Sequence, residues 1–101
     1  MALVAEREID GKRDIIGVGR LNQIRATREA EFAILVTDNH QRSGLGTELL
    51  RRLVEIGRRE GRQRITGDVL PENTGMQRAA QKLGFKIRFH EGLARAEMDL
   101  A

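Results

Sequence analysis

The sequence predicts a single domain of the α/β or α+β class, with a mixed sheet and the element order β-β-β-α-β-α-β-β. A chain of 101 residues supports one hydrophobic core. Its composition, 40% hydrophobic and 33% charged with one proline, is typical of globular proteins. A strand pattern follows each of two amphipathic helix patterns, which implies at least one crossover connection in the sheet. We therefore expect residues 1–101 to form one domain.

The first part of the chain predicts three strands. Strand-type runs at residues 3–9 and 15–24 flank residues 10–14, a turn in which Gly11 supplies the unusual backbone dihedral. A third strand at residues 30–37 alternates, with Phe32 on one face and both Glu29 and Glu31 on the other. Two antiparallel strands and a third strand thus open the domain.

The second part predicts two helices and three strands. Residues 44–60 carry an apolar helical stripe that Gly61 ends, and residues 64–70 form a strand. Asn73 caps a second helix that Gly84 closes. Residues 85–90 and 93–100 alternate as a final hairpin around Glu91-Gly92.

Composition excludes several classes of function. There is no cysteine, hence no disulfide, thiolate metal site or cysteine nucleophile, which favours a reducing compartment. The longest apolar run, residues 32–36, is far too short to span a bilayer, and charged residues follow the N-terminus closely. His40 and His90 lack partners at metal-ligand spacing. We predict a cytoplasmic protein with no membrane association and no metal.

The net charge of +3 does not indicate nucleic-acid binding. Arginines and glutamates alternate along the first predicted helix, a pattern typical of a solvated surface. Binding to single-stranded nucleic acid usually adds aromatic stacking platforms, and this chain has three aromatic residues, all phenylalanine. We predict no nucleic-acid partner.

The most informative segment is Gln41-Arg42-Ser43-Gly44-Leu45-Gly46-Thr47, between a strand and a long helix. Unpaired N–H groups at a helix start, left accessible by glycine, bind phosphate oxygens with help from the helix dipole. The glycines alone are equally compatible with a simple tight turn. The segment matches neither the P-loop nor the G-x-G-x-x-G fingerprint.

Two ordered motifs make the resemblance specific. Gln41-x-x-Gly44-x-Gly46 resembles the coenzyme A pyrophosphate motif of the GCN5-related N-acetyltransferases (GNAT), and Asn73-x-x-Met76 followed by Lys82-Leu83-Gly84-Phe85 resembles the family's second cofactor-contacting helix. Residues 29–85 look most like the acetyltransferase domain of bacterial protein lysine acetyltransferases. The resemblance spans about residues 3–100, but the family normally begins with a further strand and two helices. The chain is then a fragment or remnant of a larger protein, or a partner chain fills the gap.

The resemblance implies an N-terminally truncated acyl-CoA N-acyltransferase fold with acetyl-CoA as co-substrate. It implies that the glycine segment binds the pyrophosphate, that backbone groups of a strand end hold the pantetheine arm and the thioester, and that the second helix contributes further contacts. The implied cofactor-binding residues are Leu35, Val36, Thr37, Gln41, Arg42, Ser43, Gly44, Leu45, Gly46, Thr47, Asn73 and Met76.

The resemblance also implies direct attack of an amine on the thioester, with Glu31 as general base and Glu29 as the second choice. The alternative is that both glutamates are sheet-edge charges facing water. The tyrosine that protonates the thiolate in many members is replaced by Ala80.

We therefore predict an acetyl-CoA-dependent N-acetyltransferase acting on a primary amine, with a protein lysine as the favoured acceptor. A non-catalytic acetyl-CoA-binding regulatory module is the alternative. Homodimerisation is a further hypothesis, because missing covering elements would expose apolar sheet surface.

Overall fold

The computed structural model describes residues 1–37 and 44–100, and it confirms the predicted order of elements. Three strands precede the first helix, one strand separates the helices, and a hairpin follows the second. The elements are β1 (Ala2–Ile9), β2 (Lys12–Gln23), β3 (Glu29–Val36), α1 (Leu45–Arg59), β4 (Arg64–Val69), α2 (Thr74–Leu83), β5 (Lys86–His90) and β6 (Leu93–Asp99).

The strands form one mixed sheet in the order β1-β2-β3-β4-β6-β5. Only β3 and β4 are parallel; the other neighbours are antiparallel. Helix α1 is therefore the crossover that joins the parallel pair. Strand β6 lies between β4 and β5, so the final hairpin places its second strand inside the sheet. The predicted mixed sheet is confirmed.

Two hairpin turns have two residues each. Asp10 and Gly11 both have positive φ, 51° and 77°, as do Glu91 and Gly92 at 49° and 80°. Two consecutive positive φ values are the mark of a type I′ turn, which matches the twist of the flanking strands. The first turn is shorter than the predicted residues 10–14, and β2 accordingly begins at Lys12.

Both helices pack on one face of the sheet. Helix α1 contacts β2 and β3, and α2 contacts α1, β5 and β6. Leu50, Leu53 and Ile65 are fully buried at the centre of this layer. Gly19 allows α1 to lie close to the sheet, because a β-carbon on Gly19 would lie 3.3 Å from Leu53 Cδ1. The close approach of the helix explains why a glycine occurs within this strand.

The other face of the sheet, which we call the open face, carries both charged and exposed apolar side chains. No helix covers it within residues 1–37 and 44–100. Arg64 Nη2 donates to Glu97 Oε2 at 2.7 Å, while Leu35 is an exposed apolar residue on the same face. Neither helix in the described part of the chain is long and apolar enough to cross a membrane.

Candidate functional site

A cleft opens where β3 and β4 diverge. The two strands pair only from Glu29↔Arg64 to Glu31↔Thr66, so the remainder of each strand leaves the other. The cleft has a volume of about 480 Å³ and reaches from the start of α1 to the start of α2. Its lining residues are Phe32, Ile34, Leu35, Val36, Gly44, Gly46, Thr47, Asp68, Val69, Leu70, Asn73, Gly75, Met76 and Ala79.

Phe32 lies at the base of this cleft. Its buried ring packs edge-on against Phe85, with 5.4 Å between ring centroids. The same ring covers Gly67, where a β-carbon would come within 2.4 Å of Phe32 Cε2. The aromatic ring thus occupies the space just beyond the last paired residues of β3 and β4.

The N-terminus of α1 supplies free backbone donors. Gly44 is the N-cap, with φ 84° and no side-chain cap, and the Glu48 N–H donates to the Gly44 carbonyl at 3.0 Å. The N–H groups of residues 45–47 have no acceptor among the residues that the structure describes. Together with the helix dipole, these donors favour an anion at this end of the cleft.

The predicted phosphate-binding segment is only partly described. Gln41, Arg42 and Ser43 lie outside the described residues. Gly44, Gly46 and Thr47 line the cleft. Leu45 does not: a β-carbon on Gly17 would lie 3.1 Å from Leu45 Cδ2, so this side chain packs on the sheet.

The unpaired edge of β3 offers the cleft a row of backbone groups. The Thr37 N–H donates to the Ile16 carbonyl at 3.0 Å, which directs Thr37 toward β2. Because backbone groups of successive residues point to opposite edges of a strand, those of Ile34 and Val36 point toward β4. Val36 and Leu35 line the cleft, whereas Thr37 does not.

Helix α2 forms the opposite wall. Asn73 Oδ1 accepts a hydrogen bond of 3.1 Å from the Met76 N–H, which confirms the predicted cap. Gln77 Nε2 donates to the carbonyls of Leu70 and Pro71 at 3.2 and 2.9 Å and holds the loop before the helix. Met76 reaches across to α1, since a β-carbon on Gly46 would lie 2.8 Å from its methyl group.

Neither predicted base lines the cleft. Glu29 Oε1 lies 4.0 Å from Arg64 Nε, within the ion-pair cluster of the open face. Glu31 is exposed beside Thr66 and has no ion-pair or side-chain hydrogen-bond partner among residues 1–37 and 44–100. The two carboxylates therefore differ in their surroundings, since only Glu29 has an ion-pair partner among the described residues.

Sequence inspection missed several lining residues, of which Asp68 is the most informative chemically. It is an exposed acid between Gly67 and Val69, which are buried. The sequence shows an acid within a predicted strand, but it does not show that this strand borders a cleft. The other lining residues that were missed are Phe32, Ile34, Val69, Leu70, Gly75 and Ala79.

The family follows from a profile comparison. The profile of the acetyltransferase (GNAT) domain matches residues 2–86. The chain belongs to the GNAT family. This confirms the resemblance predicted from the glycine segment and from the second helix, and the cleft of this GNAT domain lies between those two motifs.

Solved structures agree with this assignment. The GNAT domain of S. lividans PAT is 31% identical, with a TM-score of 0.77 over 98% of this chain and 61% of that one. The yncA protein of Salmonella typhimurium, solved with its cofactor acetyl-CoA, is 24% identical, with a TM-score of 0.75 over 86% of this chain and 59% of that one.

A third GNAT structure shares the fold. Spermidine N-acetyltransferase SpeG from Vibrio cholerae, in a variant form, is 23% identical, with a TM-score of 0.77 over 97% of this chain and 64% of that one. This GNAT domain therefore spans about three fifths of the length of these structures.

Proposed function

We propose that this GNAT domain transfers an acetyl group from acetyl-CoA directly to a primary amine. One observation carries the proposal: the cleft between β3 and β4 joins free N–H groups at the start of α1 to an unpaired strand edge. The N–H groups can bind the oxygens of a pyrophosphate, and the strand edge can pair with a chain of amides. A coenzyme A thioester carries a pyrophosphate and then a chain of amides, in this order.

The residues of the cleft fit acetyl-CoA, which brings an activated thioester to the site when bound. The N–H groups at the start of α1 bind the phosphate oxygens, and Gly44 leaves their approach open. Backbone groups of Ile34 and Val36 bind the amides of the pantetheine arm by extending the sheet, as an added strand would. A backbone N–H at this edge also stabilises the oxyanion.

Glu31 removes the proton from the acceptor ammonium in this proposal. Glu31 is next to Phe32, which lines the cleft, and it lies on the same strand face as Leu35 on the cleft wall. A carboxylate just outside the cleft reaches the acceptor through one bound water. The exposure of Glu31 keeps it in contact with water. Glu29 is the weaker candidate for the base because it forms an ion pair with Arg64.

The acceptor we favour is a lysine side chain of a protein. The support is the similarity to the GNAT domain of S. lividans PAT. The lack of cysteine supports a reducing compartment, and on that basis we place the reaction in the cytoplasm. The homodimer stays a prediction, supported by the exposed apolar residues Val4 and Leu35.

A non-catalytic acetyl-CoA-binding module is the second candidate. The observation in its favour is that neither Glu29 nor Glu31 lines the cleft. Such a module binds acetyl-CoA as tightly as an enzyme does but releases no coenzyme A when an amine is added.

The test is release of free thiol from acetyl-CoA in the presence of lysine-containing peptides, measured for the parent, Glu31→Gln and Glu29→Gln. Glu29 is the matched control because it lies on the same strand face two residues away. We expect Glu31→Gln to lower kcat about 100-fold, the usual contribution of a general base, and Glu29→Gln to change it less than about threefold.

Equal rates for the parent and Glu31→Gln would refute the role of Glu31. Acetyl-CoA binding by the parent without amine-dependent thiol release would instead establish the non-catalytic module.

A further inference from the structure

Asp68 is the only carboxylate among the lining residues of the cleft in the described part of the chain. It lies on β4 two residues beyond Thr66, the last residue that pairs with β3. Its side chain is 44% exposed and belongs to the open face. The negative charge of Asp68 thus lies on the cleft wall, beyond the point where β3 and β4 separate.

Arg95 fixes the orientation of this carboxylate. Its Nη1 donates to Asp68 Oδ1 at 2.9 Å, and its Nη2 donates to Thr66 Oγ1 at 3.2 Å. The planar guanidinium is therefore held at two points on β4. Asp68 Oδ2 receives no hydrogen bond from the described residues and remains available to a ligand.

The positive charge of Arg95 is shared. Its Nε also lies 3.7 Å from Glu97 Oε1, so one guanidinium faces two carboxylates. Arg64 and Arg88 approach Glu97 Oε2 at 2.7 and 3.7 Å, and neither lines the cleft. Arg95 engages Asp68 through Oδ1 alone, so Oδ2 remains an acceptor for a second, cationic donor.

Leu35 provides an apolar wall on the opposite strand. It lines the cleft and is 74% exposed, the largest value among the exposed apolar residues of the described chain. Like Asp68, it belongs to the open face. A ligand that enters from this face meets an aliphatic surface on β3 and a carboxylate on β4.

We propose that Asp68 binds the ammonium group of the acceptor, that Leu35 contacts its aliphatic stem, and that Arg95 is the positioning residue for Asp68. The inference rests on the proposed function and specifies its substrate class as an alkylammonium group with an extended apolar stem.

The test compares two probes on the full chain saturated with coenzyme A. Nα-acetyl-lysine methylamide carries the ammonium, and Nα-acetyl-norleucine methylamide has a similar apolar stem without it. Affinities are measured by NMR titration for the parent, Asp68→Asn and Asp99→Asn. Asp99 is the matched control because it is an acid 3.8 Å from an arginine on the same face and lies outside the cleft.

We expect the parent and Asp99→Asn to bind the lysine probe about tenfold more tightly than the norleucine probe, as one charge-assisted hydrogen bond provides. In Asp68→Asn, the two probes bind equally, while coenzyme A binding is unchanged. Asp68→Ser gives the same result through a smaller side chain, and Arg95→Gln reduces the preference without changing norleucine binding.

A lysine preference that survives in Asp68→Asn and Asp68→Ser would overturn the inference, as would a parent that binds coenzyme A but does not prefer the lysine probe. Either result leaves the proposed acetyl transfer standing. Failure of the parent to bind coenzyme A would overturn both.

Discussion

The ring of Phe32 lies over Gly67 so closely that a β-carbon on Gly67 would come within 2.4 Å of Phe32 Cε2. This contact follows directly after Glu31↔Thr66, the last pair between β3 and β4. Beyond it the strands diverge and the cleft begins. A residue without a side chain on one strand and an aromatic ring on the other therefore define the base of the site.

Gly67→Ala tests this contact. Three atoms of the Phe32 ring lie within 2.6 Å of the added methyl position, so the buried ring must move. We expect a loss of about 1–3 kcal/mol in the free energy of unfolding, typical of overpacking, and weaker acetyl-CoA binding. Urea denaturation measures the first effect and calorimetry the second.

Gly75→Ala is the control for the stability measurement, because the only atom of the described residues near its added β-carbon is Asn73 Oδ1 at 3.9 Å, and because helix α2 gains propensity. A Gly67→Ala variant as stable as Gly75→Ala would show that the Phe32 ring is not confined.

Asn73→Ala tests the cap of α2. Loss of the hydrogen bond from the Met76 N–H leaves a helix N-terminal donor unsatisfied, which costs about 1 kcal/mol. Thermal unfolding should show a lower Tm, whereas Asn22→Ala, an exposed residue of β2, should leave it nearly unchanged. Equal Tm values for the two variants would contradict the capping role.

The charge cluster on α1 predicts a pH dependence. Hydrogen bonds from Arg51 and then Arg52 lower the pKa of Glu48 from 4.5 to about 2. Since the folded pKa is the lower one, the stabilisation is fully present above about pH 4.5 and is lost as the pH falls toward 2. The effect on stability is small because the side chain is exposed.

NMR titration of the Glu48 side-chain carboxyl should accordingly give a midpoint near 2. An ordinary glutamate midpoint for Glu48 would contradict the arginine contacts.

Ala26 is a site of backbone strain in the turn before β3. Its φ is 62°, in the left-handed region that is unfavourable for residues with a β-carbon. Ala26→Gly should raise the free energy of unfolding by about 0.5 kcal/mol, the strain relieved minus the added chain entropy. The control is Ala33→Gly in the middle of β3, which should lower the free energy of unfolding. A lower free energy of unfolding for Ala26→Gly than for the parent would contradict the strained turn.

Local signals in the sequence were sufficient to predict the elements. The Asn73 cap, the Gly61 and Gly84 helix ends and the Glu91-Gly92 turn each have a short-range physical cause, and each is confirmed. The prediction of a turn at residues 10–14 is too long, because Lys12, Arg13 and Asp14 pair with β1.

The cleft could not be predicted from local signals. Alternation shows which face a residue of β3 occupies, but not where its pairing with β4 stops. The role of Asp68 depends on where β3 and β4 stop pairing, on its contact with Arg95 and on the position of β6 beside β4. All three depend on residues that are far apart in the sequence. Glu31 and Glu29 were selected through the resemblance, and their catalytic roles stay predictions.

The most direct test of the central claim is a calorimetric titration with acetyl-CoA of the parent, Gly44→Glu and Gly11→Glu. Gly44 and Gly11 are matched, with φ values of 84° and 77° and no described atom within 4 Å of the added β-carbon, so both variants carry similar backbone strain. Only Gly44 lies at the start of α1, where a carboxylate repels a phosphate. We predict binding by the parent and by Gly11→Glu and none by Gly44→Glu; no binding by the parent, or equal binding by all three, would contradict the assignment of the cleft to acetyl-CoA.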